Sequence, residues 1–222
     1  MNLDSYINKI TYADCKDIMR LMPDKYIGLA IVDPPYGIGE TWCKNVHSDH
    51  YLQRKSYLNR DIPDQEYFNE LFRVSKNQII WGCNYYTKYL TLTNNLICWD
   101  KSCTFEKEHK SEFELAWTSI TKYPAVFARI PWSGGRKGPE TGIKTIHPHQ
   151  KPIKLYRWLL QKYALPGDLI LDTHSGSGTL PIACHLEGFN FIATEKDFTY
   201  YSKSKERYEI ETSQLKLSGV SI

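Results

Sequence analysis

Leu169-Ile170-Leu171-Asp172-Thr173-His174-Ser175-Gly176-Ser177-Gly178-Thr179 is the stretch that decides the fold. Pro166-Gly167-Asp168 ahead of it is turn chemistry. Leu169 to Leu171 is a short apolar run of the kind that forms a buried strand. Gly176 and Gly178 carry no Cβ, so the backbone there can come close to a ligand. Thr179 opens a helix expected to run to about Glu187, and a further strand, Phe189 to Thr194, ends on Glu195. Strand, glycine loop, helix and strand make one half of a doubly wound, mostly parallel α/β sheet. An acid roughly 20 residues past the glycines is placed to bind ribose hydroxyls.

A nicotinamide dinucleotide is the obvious ligand for such a unit, but Pro181 stands where the third glycine of that fingerprint belongs. Pyrophosphate capture and close helix–strand packing are therefore less well supported. A ligand with adenosine and no pyrophosphate, such as S-adenosylmethionine, fits better.

The second informative stretch lies far upstream. Gly28-Leu29-Ala30-Ile31-Val32 runs into Asp33-Pro34-Pro35-Tyr36. Ile31 and Val32 suit a packed, pleated surface. The prolines end the strand, because they have no N–H for a sheet ladder and a fixed φ. A carboxylate, a few carbonyls of fixed direction and a flat aromatic face remain at the sheet edge. Together these can hold a planar, amino-bearing ring such as adenine or cytosine.

With Asp33-Pro34-Pro35-Tyr36, then His147-Pro148-His149-Gln150-Lys151-Pro152, then Asp172 with Gly176-Ser177-Gly178-Thr179, then Glu195, the chain resembles the DNA amino-methyltransferases. These methylate the exocyclic nitrogen of adenine (N6) or cytosine (N4) with S-adenosylmethionine. The order, tetrapeptide first and glycine loop last, is similar to the circularly permuted beta group, and the resemblance spans roughly residues 8–210. It implies the Rossmann-like methyltransferase fold and double-stranded DNA as partner. It also implies that Asp172, Gly176, Gly178 and Glu195 hold the cofactor, with His174 and Thr179 of the same loop. Lys151 and Pro152 would lie beside the methionine moiety. Asp14 would either contact the cofactor's adenine or cap a helix. In the catalytic tetrapeptide, Asp33 would accept from the target amine and take its proton. The Pro34 carbonyl would be the second acceptor, Pro35 would complete the rigid turn, and Tyr36 would stack on the base.

Length and composition agree with this. A chain of 222 residues suits one α/β domain over residues 1–222, with a target-recognition insert at about 100–146. A formal net charge of +3 permits a polyanionic partner without arguing for one. No apolar run approaches the ~18 residues of a membrane span, and the polar N-terminus has no signal-peptide core. The six cysteines contain no C-x-x-C pair, so neither zinc nor a disulfide frame is suggested, and a reduced, cytoplasmic protein is expected.

Further elements are expected as a strand at Ile10–Ala13, a helix at Cys15–Met22, and a helix entered near Pro63 through Phe68, Leu71 and Phe72. Strands are expected at Gln78–Trp81 and Asn95–Trp99 with a helix near Tyr85–Leu90 between them. Phe113–Thr118 and Ala125–Ile130 read as an antiparallel pair. Pro152 opens a helix with a 3.6-period apolar stripe, and a last helix carries Phe198, Tyr201 and Tyr208 and frays from Ser213.

Two segments are candidates for nucleic acid. Ile38–Arg60 interleaves Lys44, Arg54, Lys55 and Arg60 with Trp42, Tyr51 and Tyr57. Arg129–Lys151 is glycine-rich with a net charge of +4, and its Arg129, Arg136, Lys137 and Lys144 can follow a phosphate backbone. Solvated surface loops are the alternative for both. Lys101–Glu114 is net acidic and a poor phosphate binder.

The chain departs from the family pattern at His174, where the family usually has an apolar aromatic. An imidazole can stack in that slot, or act as a general base. The short recognition segment fits a brief target or help from a second chain, that is, a homodimer. Asp at the first tetrapeptide position favours adenine N6 over cytosine N4 as a family tendency. An enzyme acting on RNA or on a glutamine side chain, and a non-catalytic relative that binds cofactor and DNA, are the remaining alternatives. No metal is called for.

Overall fold

The computed structural model describes residues 3–37, 62–91, 94–102, 112–132, 140 and 145–217. The strands are β1 (Lys9–Tyr12), β2 (Ile27–Val32), β3 (Ser75–Trp81), β4 (Leu96–Asp100), β5 (Phe113–Thr118), β6 (Val126–Arg129), β7 (Leu169–Asp172) and β8 (Asn190–Glu195). The helices are α1 (Cys15–Leu21), α2 (Gln65–Val74), α3 (Ile153–Tyr163), α4 (Thr179–Glu187) and α5 (Phe198–Leu217). The eight strands form one sheet in the order β1-β8-β7-β2-β3-β5-β4-β6. Only β5 runs against its neighbours, pairing antiparallel with both β3 and β4.

β2 is buried along its whole length. A strand with helices over both faces needs apolar side chains on both, which is why Ile27 to Val32 reads as a continuous apolar run rather than an alternation. On one face Leu29 and Ile31 join Leu155, Leu159, Leu160, Leu180 and Phe191. On the other, Ala30 and Val32 join Met19, Tyr67, Phe68 and Leu71 from α1 and α2. Each fully buried Leu, Ile or Phe contributes about 1.5–3 kcal/mol through its removal from water.

The strand order places a reversal between β7 and β2. From β7 the chain moves to β8 on one side, with the N-terminal β1 beyond it, and from β2 it moves the other way to β3. β2 and β7 are parallel neighbours, with Leu29 opposite Ile170 and Ala30 opposite Leu171. Open α/β sheets bind ligands outside the carboxyl ends of strands at such a switch point.

Three expectations are corrected. Phe113–Thr118 and Ala125–Ile130 do not pair with each other, because β4 lies between them and pairs antiparallel with β5 and parallel with β6. The helix expected near Tyr85–Leu90 is only a 3-10 turn, Cys83–Tyr85. Its Tyr86 is instead buried, with its hydroxyl turned to the β2 exit. The last helix does not fray from Ser213 but continues to Leu217. Pro181 sits in the first turn of α4, where an amide N–H has no intrahelical acceptor to lose.

Candidate active site

β2 ends at Val32 and β7 at Asp172, so Asp33 and Asp172 come out side by side. Both line one cleft with about 320 Å³ of empty space, together with Lys151, His147, His149, His174, Ser175, Gly176, Ser177 and Thr179. Residues quoted from three distant parts of the sequence therefore meet.

The tetrapeptide is held rigidly. The single Tyr86 hydroxyl hydrogen is shared between the Pro34 carbonyl at 2.6 Å and the Pro35 carbonyl at 2.8 Å. A carbonyl has two lone pairs, so the Pro34 oxygen keeps capacity for one more donor. Tyr36 donates to Asp33 Oδ1 at 2.5 Å, and its ring stacks on Tyr85 with centroids 5.0 Å apart and planes at 13°. Gly82, with φ of +71°, makes room for that ring: a Cβ there would lie 2.2 Å from Tyr36 Cε1. Burial, with the Asp33 charge next, pushes the Tyr36 hydroxyl well above its ordinary value, so it stays a donor. Asp33 Oδ2 accepts from Lys151 Nζ at 2.5 Å.

The glycine loop follows from its backbone. Gly176 and Gly178 have φ of +52° and +71°, in the left-handed region that other residues avoid. A Cβ on Gly176 would meet the His147 ring at 3.3 Å, and one on Gly178 the Ser204 carbonyl oxygen at 3.1 Å. Glu195 spans the loop. Its Oε2 accepts from Gly176 N at 2.9 Å and its Oε1 from Asp197 N at 2.8 Å. Asp172 is buried. Burial pushes its carboxyl up to about 8; the His174 N–H opposes this, while the charges of Glu195 and Asp33 add to it. Two carboxylates on the cleft, Asp33 and Asp172, with Glu195 behind the glycine loop, suit a ligand that carries positive charge. The sulfonium and ammonium of S-adenosylmethionine are such charges, so the residues present fit that group.

His174 sits edge-on to Tyr67, with ring centroids 5.4 Å apart. Its Nδ1 is 2.8 Å from Thr173 Oγ1, which is itself 2.8 Å from the Tyr67 hydroxyl. Pro152 caps the start of α3 and is buried. Asp14 caps α1, accepting from Lys16 N at 2.9 Å, and the preceding Ala13 N donates to the Glu195 carbonyl. Asp14 thus stands beside the β8 end, though not on the cleft lining. Arg129 is on β6, four strands from β2 or roughly 19 Å at the usual strand spacing. Its guanidinium is 2.8 Å from Asp100 Oδ2. Arg136, Lys137, Lys144 and the whole Ile38–Arg60 segment lie outside the described residues.

Several residues around the site escaped the sequence reading. Tyr86 and Gly82 fix the tetrapeptide. Glu114 on β5 reaches Lys151. Glu140, inside the expected insert, accepts from Ile153 N at 2.7 Å and so caps α3, which has no side-chain cap of its own. Buried Arg207 donates to the Ser177 carbonyl at 3.0 Å and to Thr179 Oγ1 at 2.9 Å, bracing the glycine loop from α5. Only Glu114 left a trace in the sequence: an acid two residues from buried Ala116, on the same face of a strand. Among the described residues no group of three or more His, Cys, Asp or Glu is arranged to hold a metal ion, and no helix is long and apolar enough to cross a membrane.

A doubly wound sheet with an acid–proline–proline–tyrosine turn and a glycine loop on one cleft defines an S-adenosylmethionine-dependent methyltransferase. A family model described as DNA methylase matches residues 84–206. The Type II methyltransferase M2.MboI of Moraxella bovis is 41% identical over 245 aligned positions, covering 93% of this chain and 89% of that protein. The Type II methyltransferase M.HhaII of Haemophilus parahaemolyticus is 25% identical, covering 87% and 93%. Among solved structures, the M1.HpyAVI–SAM complex superposes with a TM-score of 0.59 at 19% identity, over 90% of this chain and 98% of that one. The cytosine-N4-specific PvuII DNA methyltransferase does so with 0.56 at 14% identity, over 93% and 92%. The chain belongs to the N6/N4 DNA methyltransferase family, whose cofactor is S-adenosylmethionine.

Proposed function

We propose that this chain methylates the N6 amino group of adenine in double-stranded DNA, as the modification enzyme of a restriction–modification system working in the cytoplasm. The observation that carries the reading is the convergence of Asp33 and Asp172 on one cleft at the strand reversal. A carboxylate able to accept from an amine thereby lies next to the loop that suits the cofactor. Asp at the first tetrapeptide position is the family tendency that favours adenine over cytosine. The designation of both relatives as Type II methyltransferases supports the modification role.

In this reading Asp172, His174, Gly176, Gly178, Thr179, Glu195, Lys151, Pro152 and Asp14 form the cofactor side. Glu195 takes the ribose hydroxyls from the end of β8. When bound, the cofactor supplies an electrophilic methyl carbon on a sulfonium. The amine of the target is a poor nucleophile because its lone pair is delocalised into the ring. Asp33 and the Pro34 carbonyl accept its two hydrogens and push the nitrogen toward sp3. With the cofactor bound, its sulfonium would give the methyl group to the amine nitrogen and keep the C–S electron pair, while Asp33 would take one amine proton. The base must leave the duplex to reach Asp33. Stacking on an aromatic ring offsets ~1–3 kcal/mol of that cost. In this reading the flipped base stacks on the Tyr36 ring, one face of which Tyr85 covers. Arg129, Arg136, Lys137 and Lys144 contact backbone phosphates, and a second copy of the chain completes recognition if the insert proves too short.

The test is incubation of unmodified DNA with isotope-labelled S-adenosylmethionine, then nucleoside mass spectrometry. Label in N6-methyladenine is expected. Label in N4-methylcytosine would move the reading to the other base, and none on DNA would overturn it.

A further inference from the structure

Lys151 faces two carboxylates, hydrogen-bonded to Asp33 and ion-paired with Glu114. Its side chain is 3% exposed. Nζ is 2.5 Å from Asp33 Oδ2, where it donates a hydrogen bond. It is also 3.1 Å from Glu114 Oε2, an oxygen that accepts no hydrogen bond in this arrangement. The other Glu114 oxygen accepts from Lys101 Nζ at 3.0 Å, which fixes the carboxylate. Asp33 Oδ1 is taken by the Tyr36 hydroxyl. Both oxygens of Asp33 therefore already hold a donor, so an incoming amine either shares an oxygen through its remaining lone pair or takes the place of one donor.

Tyr36 is the harder donor to move. Its ring lies on Tyr85 and against Gly82. Lys151 has a flexible stem and three rotatable donors, and a second acceptor waits within reach. A buried ammonium that gave up Asp33 with nowhere to go would be an uncompensated charge, at heavy cost. Glu114 removes that cost. Burial pushes the Glu114 carboxyl up, but Lys151 and then Lys101 outweigh it and hold it at about 2, so the acceptor is anionic at neutral pH. Burial pulls the Lys151 ammonium down, yet Asp33 and Glu114 leave it above its ordinary value, so it stays charged.

We propose that Glu114 is a positioning residue for methyl transfer: it receives the Lys151 ammonium when the target amine takes Asp33 Oδ2, and so opens the acceptor without removing the lysine's charge from the site. The inference rests on the reading of Asp33 as the amine acceptor. No covalent bond changes in the exchange. One hydrogen bond passes from Asp33 to Glu114, and one from the amine replaces it. Glu114 belongs to β5, inside the expected recognition insert at about 100–146, so the exchange links that part of the chain to the tetrapeptide.

The experiment measures single-turnover methyl transfer to unmethylated plasmid DNA with S-adenosylmethionine in excess, alongside calorimetric cofactor affinity. Glu114→Gln should bind the cofactor within about twofold of wild type and transfer methyl at least about tenfold more slowly, the size typical when an outer partner that orients a site group is lost. Glu114→Asp should recover part of the rate. Transfer by Glu114→Gln at the wild-type rate, or no recovery in Glu114→Asp, would overturn the proposal. If Glu114→Gln does not fold, Lys101→Met replaces it: a slowed rate at unchanged cofactor affinity supports the proposal, and an unchanged rate overturns it. Asp33→Asn is run in parallel. Lost transfer there with a normal Glu114→Gln removes only this inference, whereas retained transfer in Asp33→Asn removes the reading beneath it as well.

Discussion

Asp33 and Asp172 end adjacent parallel strands, and the charge of Asp33 is among those that hinder ionisation of Asp172. The folded chain holds a proton on Asp172 up to about pH 8, mainly through burial, while an unfolded aspartate releases it near 3.8. The native state thus binds more protons than the unfolded state between these values, and stability falls as pH rises through that window. Thermal melting of wild type should drop from pH 5 to pH 8 by more than that of Asp172→Asn, a difference on the order of a few kcal/mol. Parallel curves for the two proteins would refute a buried, protonated Asp172. Saturating S-adenosylmethionine should flatten the wild-type slope, because a cation favours the ionised carboxylate.

Glu195 holds the glycine loop through Gly176 N and turns toward α5 through Asp197 N. Glu195→Ala is expected to weaken cofactor binding by roughly 10–100-fold, the loss of about one hydrogen bond to a charged group. Calorimetry reads this directly. An unchanged affinity would mean the ribose sits elsewhere.

Gly82→Ala places a methyl where the Tyr36 ring is, on a left-handed backbone. The backbone alone costs about 1–2 kcal/mol, which lowers the melting temperature of a chain this size by roughly 2–8 °C. Displacement of Tyr36 should reduce methyl transfer more than it reduces cofactor affinity. Equal losses in both would indicate general damage rather than a misplaced tetrapeptide.

The parts of the molecule that were legible in the sequence are those fixed by local chemistry. β2 and β7 read as apolar runs because both their faces are covered, and each is punctuated by a turn or by prolines. α4 begins at Thr179 and stops at Glu187 as expected, with Gly188 ending it in the left-handed conformation. Pairing beyond β3 was not legible. Seven residues between Thr118 and Val126 look like a hairpin link, but β5 lies between β3 and β4, with Ala116 buried on one face of the sheet and Trp117 on the other. Nothing in a strand's own residues states which neighbour it will choose. Tyr86 failed as a helix residue for a related reason: its place is decided by the Pro34 and Pro35 carbonyls, 52 and 51 residues away. Glu114 sat in a stretch whose charges looked solvated, and only the fold brings Lys151 to it.

The central claim is that Asp33 accepts from the target amine while the cofactor is held independently by the glycine-loop side of the cleft. The most direct measurement is methyl transfer to unmodified DNA by wild type and Asp33→Ala at saturating S-adenosylmethionine, with cofactor affinity measured on both. Wild type should yield N6-methyladenine. Asp33→Ala should yield none while binding the cofactor nearly as tightly. Turnover retained by Asp33→Ala would contradict the account.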